Sequence, residues 1–357
     1  MNARVRDLGL APGRLPPGVL NALTDVPCVR VGHVTLVSGD SIRTGVTAIV
    51  PDAVDRASGS LAAGLFVGNG YGKLVGSTQL AELGVIETPI VLTGTLSVFR
   101  AADALVTYMM RRPGNSGLLS VNPVAGETND GFLSDIRARP VTEEHVLTAL
   151  SSAVGGPLPQ GCVGAGTGTA ALGFKGGIGT SSRIVAGPGA SAGVVGVLVQ
   201  SNFSGTLAVR GIPIEPPAAS ASPAPSSAAP SSAAPGSAVP GSAVPGDSCM
   251  IIVAVDRALD SRQLTRVAKR AVFAMGLVGS DFAPHSGDYA IAFATGEGAP
   301  VSDSLLGPLF SATAEAVAEA LLDSLFLATT TVGYQGHVKH AVRADLVVRA
   351  CREAGVA

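Results

Sequence analysis

A serine that follows an acidic residue opens one of the most apolar stretches of the chain. Ser248 comes directly after Asp247, and the next seven residues, Cys249–Val255, are all apolar. If the Asp247–Ser248 bond were cut, Ser248 would become an N-terminal residue at the start of a buried strand. Its free α-amine, with a reference pKa of roughly 7.7–8.0, could then take the proton of the neighbouring hydroxyl. Nucleophile and general base would come from one residue, although a serine at a loop–strand junction is also an ordinary structural feature.

A second polar pair lies at the mouth of a later strand. In HSGDYAIAFAT, Ser286 and Asp288 alternate just before an apolar run, so both side chains are expected on the same face. A hydroxyl and a carboxylate in that position could hold an ammonium group and orient a reactive serine. A turn capped by these side chains explains the same residues without a catalytic role.

An acidic segment is the third candidate. GETNDGFLSDIR brings Glu127, Asp130 and Asp135 together in a chain in which only 14% of the residues are charged. Such a loop could bind the amino group of a substrate or a metal ion. Composition alone favours a polar turn that leads into a short helix.

Two single residues have chemical interest. Lys175 lies in the glycine-rich segment Gly164–Arg183, which has neither the GxxxxGK[ST] pattern nor a strand–GxGxxG–helix pattern. We therefore predict close backbone packing there instead of a phosphate site, with Lys175 as the one chemically interesting side chain. Asn202 ends the apolar run VLVQSN, and a carboxamide at a strand end can donate to an oxyanion, although most such residues cap a turn.

The letters GDSC also resemble the GDS core of a GDSL-type esterase. That signature has a late Asp-x-x-His, whereas the candidate here, DFAPH at Asp281–His285, is one residue longer. GDS occurs a second time at Gly39–Ser41. Both observations argue against this alternative.

A tract rich in Pro, Ala, Ser and Gly precedes Asp247. It covers about residues 216–246 and contains a five-residue repeat, SSAAP, SSAAP, GSAVP, GSAVP, from Ser226 to Pro245. Regular prolines remove backbone donors, and Ala and Ser offer no core to bury, so we predict an extended tether. Its slack would let the Asp247–Ser248 bond bend into a site. We predict one domain, 1–357, cut into an α chain of residues 1–247 and a β chain of residues 248–357.

Apolar periodicity predicts the elements around these residues. Asp260 with Gln263 forms a capping-box pattern in front of a helix with one apolar face. Buried strands with helices outside predict a layered α/β sandwich, in which strands after the tether complete a sheet begun before it. The predicted strands are Cys28–Val37, Thr44–Pro51, 60–68, 88–94, Ala192–Phe203, Cys249–Val255 and Asp288–Thr295, and the other predicted helices are Ser97–Arg112 (with Ser97 as N-cap), Pro140–Gly156 and Ser311–Thr329.

Composition excludes several classes of function. The formal net charge is −2, with no Lys/Arg run, no Trp and 4% aromatic residues, which argues against nucleic-acid binding. No stretch approaches the roughly 20 apolar residues of a spanning helix, so we expect no membrane partner. The first 18 residues lack the apolar core of a signal peptide, which predicts a cytoplasmic protein. Four cysteines without CxxC spacing argue against a zinc site or a disulfide framework.

Several long blocks, in order along the chain, resemble the L-aminopeptidase/D-esterase family. They are NALTDVPCVRVGHVTL, RTGVTAIVP, GNGYGKLVGSTQLAELGVIETPIVLTGTLSV, NPVAGETNDGFLSDI, GFKGGIGTSSR and GVLVQSNF. That family includes D-aminopeptidases and β-peptidyl aminopeptidases, and nylon-oligomer hydrolases are relatives. The resemblance runs from about Arg6 to the last helix without the tether. It implies a four-layer α/β/β/α sandwich, shared with the ornithine acetyltransferases, and a precursor that cuts itself before a Ser or Thr.

The resemblance also implies a role for each matched residue. Ser248 matches the N-terminal nucleophile, although Asp247 stands where relatives more commonly have Gly or Asn; an acidic neighbour can assist the acyl shift by taking a proton. The other matched positions are Ser286 and Asp288 for positioning the nucleophile, Asn202 for the oxyanion, Glu127 for the substrate amine, and Lys175 for a lysine implicated in the nylon-hydrolase branch.

The resulting hypothesis is an aminopeptidase or amidase that needs no metal or cofactor. We expect it to release N-terminal residues, D- or β-residues among them, from short peptides, amino-acid amides or esters. We also expect a homo-oligomer of cleaved αβ units. The alternatives are an acyltransferase on the same scaffold and a non-enzymatic binding protein that uses the tether as a spacer and stays one intact polypeptide.

Overall fold

The computed structural model describes residues 2–55, 59–186, 193–217 and 247–356. The predicted tether lies outside the described residues except for positions 216 and 217. The described strands are β1 Val29–Ser38, β2 Ile42–Pro51, β3 Leu61–Gly70, β4 Val85–Ile86, β5 Ile90–Gly94, β6 Val124–Thr128, β7 Ala170–Ala171, β8 Phe174–Lys175, β9 Ile178–Val185, β10 Gly193–Asn202, β11 Leu207–Val209, β12 Ile212–Ile214, β13 Ser248–Val255, β14 Gly287–Ala294, β15 Thr331–Val332 and β16 Val338–Lys339.

The described α-helices are α1 Ser77–Leu83, α2 Val98–Met110, α3 Glu143–Ser151, α4 Ser261–Met275, α5 Leu306–Phe326 and α6 Ala344–Glu353.

Two stacked sheets and two helix layers form the predicted four-layer α/β/β/α sandwich. One sheet has the order β1-β2-β5-β6 and the other the order β4-β3-β14-β13-β10-β9. Apolar side chains from the facing surfaces, such as Leu92 and Ile252, pack between the sheets. Helices α2 and α3 cover the four-stranded sheet, and α4 and α5 cover the six-stranded sheet. Strands β13 and β14, which follow residue 247, lie inside the six-stranded sheet between β3 and β10, which precede residue 217.

Helix α4 shows how local sequence sets these layers. Asp260 accepts a hydrogen bond from the backbone N–H of Gln263 at 2.7 Å, and the Gln263 side chain accepts from the N–H of Asp260 at 3.1 Å. This capping box satisfies two N–H groups that the helix cannot pair internally. The apolar face that follows is buried against the six-stranded sheet, as the periodicity predicted.

One predicted helix start was confirmed in position and another was wrong. Helix α2 begins at Val98 with Ser97 at the N-cap position, as predicted, after a 3₁₀ turn at Thr95–Ser97. Ser97 therefore has helical dihedral angles and its side chain makes no capping hydrogen bond. Helix α5 begins at Leu306, five residues before Ser311, because Pro308 falls in the first turn, where a missing N–H costs no internal hydrogen bond.

Helix α5 is long and apolar. Among the described residues it is the one helix, with its preceding turn, that is long and apolar enough to cross a membrane. Most of its apolar stretch is buried in the fold, against β9 and β10. It packs as the core helix of the outer layer.

Candidate active site

Ser248 is the first residue of the central strand β13, and only 2% of its surface is exposed. Strand β13 lies between β10 and β14, in which Asn202 and Gly287 are the direct partners of Ser248. A run of apolar residues favours the middle of a sheet because both of its faces are covered there. The ends of three strands therefore meet, and they bring Asn202, Ser286 and Asp288 beside Ser248.

The hydroxyl of Ser248 faces the space between the two sheets. Met250, two residues on and on the same face, packs against β6 at Gly126, where an added Cβ would lie 2.5 Å from Met250 Cε. The backbone N–H of Asn129, just after β6, donates to Ser248 Oγ at 3.3 Å. The serine thus contacts the acidic segment through Asn129, which the sequence analysis did not single out.

The peptide bond in front of Ser248 is held by the neighbouring strand. The N–H of Gly287 donates to the carbonyl oxygen of Asp247 at 3.0 Å. Partial burial raises the pKa of the Asp247 carboxyl, and the charge of Asp281 raises it further, while the Ser204 hydroxyl and Lys339 oppose the rise. This carboxyl therefore holds a proton more readily than a free aspartate.

Ser286 and Asp288 form a hydrogen-bonded pair, as their alternation predicted. The Ser286 hydroxyl donates to Asp288 Oδ1 at 2.8 Å, and the Asn69 amide donates to Asp288 Oδ2 at 2.9 Å. Burial raises the pKa of Asp288, against the effect of these two donors, and the nearby charge of Asp247 adds to the rise. Within the described residues the side-chain hydrogen bonds of the pair run between Ser286 and Asp288 and to Asn69, and the Ser248 hydroxyl contacts Asn129.

Glu127 is a buried carboxylate, with 2% of its surface exposed. It accepts hydrogen bonds from the backbone N–H of Lys73 at 2.8 Å and from the hydroxyl of Thr95. In the described part of the chain no Lys, Arg or His nitrogen lies within 4.0 Å of its oxygens. A buried carboxylate without a cation is costly, so this arrangement favours a positively charged ligand.

The side chain of Asn202 is oriented by a backbone donor. Its Oδ1 accepts from the N–H of Ala170 at 3.0 Å. Because the amide oxygen is the acceptor of that group, its NH₂ is the side that can donate to an oxyanion beside Ser248. The oxyanion role that the resemblance implied for Asn202 stays a prediction.

Lys175 lies in a separate buried cluster. Its Nζ donates to the carbonyl oxygens of Gly166 at 3.0 Å and Gly176 at 2.8 Å, and the lysine is fully buried. Burial lowers its pKa, against the opposing charges of Cys162 and Asp130. The described residues that line the cavity at Ser248 do not include Lys175, and its charge acts on the buried carboxyl of Asp130.

The acidic segment divides into three environments. Glu127 lines the cavity at Ser248, Asp130 is buried behind it, and Asp135 accepts from the N–H of Arg137 at 3.1 Å to cap a short turn. Burial raises the pKa of Asp130 to about 6. The three carboxylates do not converge, and in the described residues no group of three or more His, Cys, Asp or Glu side chains is arranged to hold a metal ion.

The cavity beside Ser248 has a wall that sequence reasoning missed. Its described lining consists of Tyr71, Gly72, Lys73, Thr95, Glu127, Asn129, Asp247 and Ser248. The segment 71–73 directly follows β3, and a polar turn after a strand was the only signal available. Its approach to Ser248 depends on how β3 and β14 pair, which the sequence does not state.

The esterase alternative finds no catalytic triad in the described residues. The hydroxyl of Ser204 donates to Asp281 Oδ1 at 2.6 Å, and His285 packs edge-on against the ring of Tyr71 at 5.5 Å. Neither Asp281 nor His285 is hydrogen-bonded to Ser248, so the GDSC letters do not mark a GDSL-type site.

Comparisons with known proteins identify the family of the chain. A family model, peptidase family S58, matches residues 21–339. Beta-peptidyl aminopeptidase BapA of Sphingosinicella xenopeptidilytica is 36% identical over 370 residues, which cover 97% of this chain and 90% of that protein. Two solved structures each cover 99% of both chains: the PH0078 protein of Pyrococcus horikoshii OT3, 39% identical with a TM-score of 0.87, and the L-aminopeptidase D-Ala-esterase/amidase of Ochrobactrum anthropi, 29% identical with a TM-score of 0.86.

Proposed function

Since the chain belongs to peptidase family S58 and is an aminopeptidase that hydrolyses peptide bonds, we propose that its nucleophile is Ser248, released as an N-terminal residue by cleavage of the Asp247–Ser248 bond. The family assignment confirms the resemblance drawn from the sequence blocks. The Ochrobactrum anthropi structure is described as a prototype for the serine aminopeptidases and a variant of the Ntn hydrolase fold. That description supports a serine nucleophile here.

Self-cleavage begins with attack of Ser248 Oγ on the carbonyl carbon of Asp247. The C–N bond breaks, an ester forms, and the amide nitrogen leaves as an amine that carries the hydroxyl proton. Water then hydrolyses the ester and frees the hydroxyl. The hydrogen bond from the Gly287 N–H to the Asp247 carbonyl supports this step, because it stabilises the negative charge that develops on that oxygen.

The mature enzyme uses the same hydroxyl on a substrate carbonyl. The α-amine of Ser248 takes the hydroxyl proton and passes it to the leaving amine, and water then hydrolyses the acyl-enzyme. The Asn202 amide and the Asn129 N–H hold the oxyanion, since both lie beside Ser248. Ser286 and Asp288 position the new N-terminus from the adjacent strand.

One observation carries the assignment of an aminopeptidase site to this cavity. Glu127 and Ser248 line the same cavity, and each is 2% exposed. Since Glu127 has no cation of its own in the described part, it is suited to bind the free ammonium of a substrate. A nucleophile near a buried anion selects the peptide bond closest to the N-terminus.

The substrate class follows from the named relative. Beta-peptidyl aminopeptidase BapA acts, by its name, on β-peptides. We extend this to the present chain and propose short peptides and amides with an N-terminal β- or α-amino acid. The β-alanyl and L-alanyl p-nitroanilides provide the direct comparison.

N-terminal sequencing of the purified protein tests the proposal. We expect two chains on a denaturing gel, the smaller of which begins Ser-Cys-Met. Ser248→Ala should give one intact chain without activity, because it removes the attacking oxygen. Ser302→Ala, at an exposed turn, should be cut and active like the wild type.

An uncut wild-type chain with full activity, or an active Ser248→Ala variant, would contradict the proposal. Turnover in the presence of an added amine separates hydrolysis from acyl transfer, which predicts an amide product in place of the free acid. We further propose that the cleaved units form a homo-oligomer, supported by exposed apolar side chains such as Phe99 and Leu119. Light scattering of the processed protein measures its mass.

A further inference from the structure

The segment Tyr71–Lys73 crosses the mouth of the Ser248 cavity and is anchored at both ends. The N–H of Tyr71 donates to the carbonyl of Ser286 at 3.3 Å, and the N–H of Lys73 donates to Glu127 Oε1 at 2.8 Å. Between them Gly72 lies against Gly287, where an added Cβ would be 2.6 Å from Gly72 Cα. The two anchors tie this segment to the positioning pair and to the proposed amine-binding carboxylate.

The side chains of Tyr71 and Lys73 line the cavity where it meets solvent, and Lys73 is partly exposed. Tyr71 is 61% exposed, and the ammonium of Lys73 lies 5.4 Å from the centre of its ring. The exposed His285 packs edge-on against the same ring. In the described residues no carboxylate oxygen lies within 4.0 Å of Lys73 Nζ. The mouth of the cavity thus holds an aromatic ring with a cation that has no acidic partner there.

Substrate orientation follows from burial. Glu127 and Ser248 lie at the closed end of the cavity, and Tyr71 lies at its open end. A substrate with its ammonium at Glu127 and its scissile carbonyl at Ser248 must direct its leaving group past Tyr71 and Lys73. When the leaving group is a single α-amino acid, its carboxylate is two covalent bonds from the departing nitrogen.

We infer that Lys73, supported by Tyr71 and His285, is the subsite that binds the C-terminal carboxylate of the leaving amino acid, so the enzyme prefers dipeptides with a free C-terminus to their amides. This inference rests on the proposed function of Ser248 and Glu127. The site then recognises both charged ends of a dipeptide, with a buried anion for the ammonium and a partly exposed cation for the carboxylate. A longer peptide would place an uncharged amide at Lys73.

The test compares one dipeptide, β-alanyl-L-alanine, with its C-terminal amide on the processed enzyme. The wild type should have a kcat/KM about fivefold higher for the acid, because a partly exposed ion pair contributes modestly. Lys73→Met should lower kcat/KM for the acid by about the same factor, chiefly through KM, and so remove the preference. Lys73→Arg should retain it.

Lys269→Met is the matched control. Lys269 also lies over aromatic rings, 5.5 Å from Phe66 and 5.7 Å from Phe273, on the exposed face of α4. Its replacement should leave both the activity and the preference for the acid unchanged. The p-nitroanilide substrate, which has no carboxylate, reports in parallel whether each variant is folded and processed.

Two outcomes would overturn the inference and can be told apart. Equal kcat/KM values for acid and amide in the wild type, or an equal loss on both substrates in Lys73→Met, would give Lys73 only a structural role and leave the proposed function standing. Absence of turnover on both substrates and on the p-nitroanilide would overturn the proposed function and this inference with it.

Discussion

Two carboxylates in different layers of the fold are almost equally buried but have different partners. Glu319 of α5 has no exposed surface and accepts hydrogen bonds from Arg6, Arg183 and Asn21 at 2.5–3.0 Å. Glu127 of β6 is 2% exposed and accepts only from a backbone N–H and a hydroxyl among the described residues. The described residues therefore supply cations to Glu319 and none to Glu127.

The difference distinguishes a carboxylate that is buried to support the fold from one that is buried where a ligand can bind. Burial alone raises the pKa of Glu319, but the hydrogen bond from Arg6 and the charge of Arg183 outweigh it, and the pKa lies below its ordinary value. An anion that only supports the fold is thus fully compensated by its own chain. The uncompensated anion lines the same cavity as the proposed nucleophile, Ser248, where a substrate could supply a cation.

The largest expected effect is the loss of stability on replacing Glu319, the carboxylate that pairs with arginines. Glu319→Gln leaves the buried guanidinium of Arg183, which has no exposed surface, without its nearest carboxylate. We expect a loss of about 3–5 kcal/mol in the free energy of unfolding, since breaking one half of a buried ion pair strands the other. Urea unfolding of the uncut Ser248→Ala chain measures it. Glu353→Gln, in an exposed pair with Arg349 at 3.9 Å, should cause no measurable change, and equal losses in both variants would contradict the comparison.

Asp130 sharpens the comparison as a third buried carboxylate. Its Oδ2 has no hydrogen-bond partner in the described part, and burial raises its pKa from 3.8 to about 6. A hydrogen bond with Thr44 and the charge of Lys175 oppose this rise only in part, and the charge of Glu127 adds to it. Because the pKa of Asp130 is higher in the folded state than in the unfolded state, its protonation stabilises the fold fully below about pH 4. This stabilisation is lost as the pH rises through about 6. Asp130→Asn should therefore match the wild type near pH 4 and exceed it at pH 8 by up to about 3 kcal/mol.

Urea unfolding at pH 4, 6 and 8 in the uncut Ser248→Ala chain measures this dependence. Asp103→Asn, on the exposed side of α2, is the matched control and should differ from its parent by the same amount at each pH. A difference for Asp130→Asn that does not grow with pH would show that this carboxyl is ionised at little cost.

The smallest of these effects, expressed as a free energy, is the loss of activity on replacing Glu127. Glu127→Gln removes the charge but keeps the shape, so kcat/KM should fall about 100-fold because the substrate ammonium loses its partner. The thermal midpoint should stay unchanged or rise, since an unpaired buried charge has been removed. Glu82→Gln, on the exposed surface of α1, should alter neither quantity. A large loss of stability in Glu127→Gln would assign this residue to the fold, like Glu319.

Sequence reasoning placed the elements better than it placed their contacts. Apolar runs and the Asp260–Gln263 capping box predicted β13 and α4, because strand burial and helix capping depend on neighbouring residues. The register that sets Asn202 opposite Ser248 joins strands far apart in the chain. Nothing local encodes that register, and it entered only through resemblance to a family.

The residues of the site divide along the same line. The pairing of Ser286 with Asp288 could be predicted, because both lie at one strand end with two-residue spacing. The contact of Asn129 with Ser248 could not, because it crosses from one sheet to the other. For Lys175 the glycine-rich surroundings predicted close backbone packing, and its ammonium does donate to the carbonyls of Gly166 and Gly176; its role in catalysis stays a prediction from the resemblance.

The position of Ser248, the proposed nucleophile, in its strand has a consequence for the proposed maturation. All eight residues of β13, from Ser248 to Val255, have partners on both neighbouring strands. Most chain ends fray because their last residues lack such support. The new N-terminus at Ser248 would already be paired with a strand on each side. Its proton-accepting amine could therefore keep a fixed position as soon as the peptide bond is cleaved. Maturation would then require no refolding of β13, only movement of the residues that precede Ser248 away from the site.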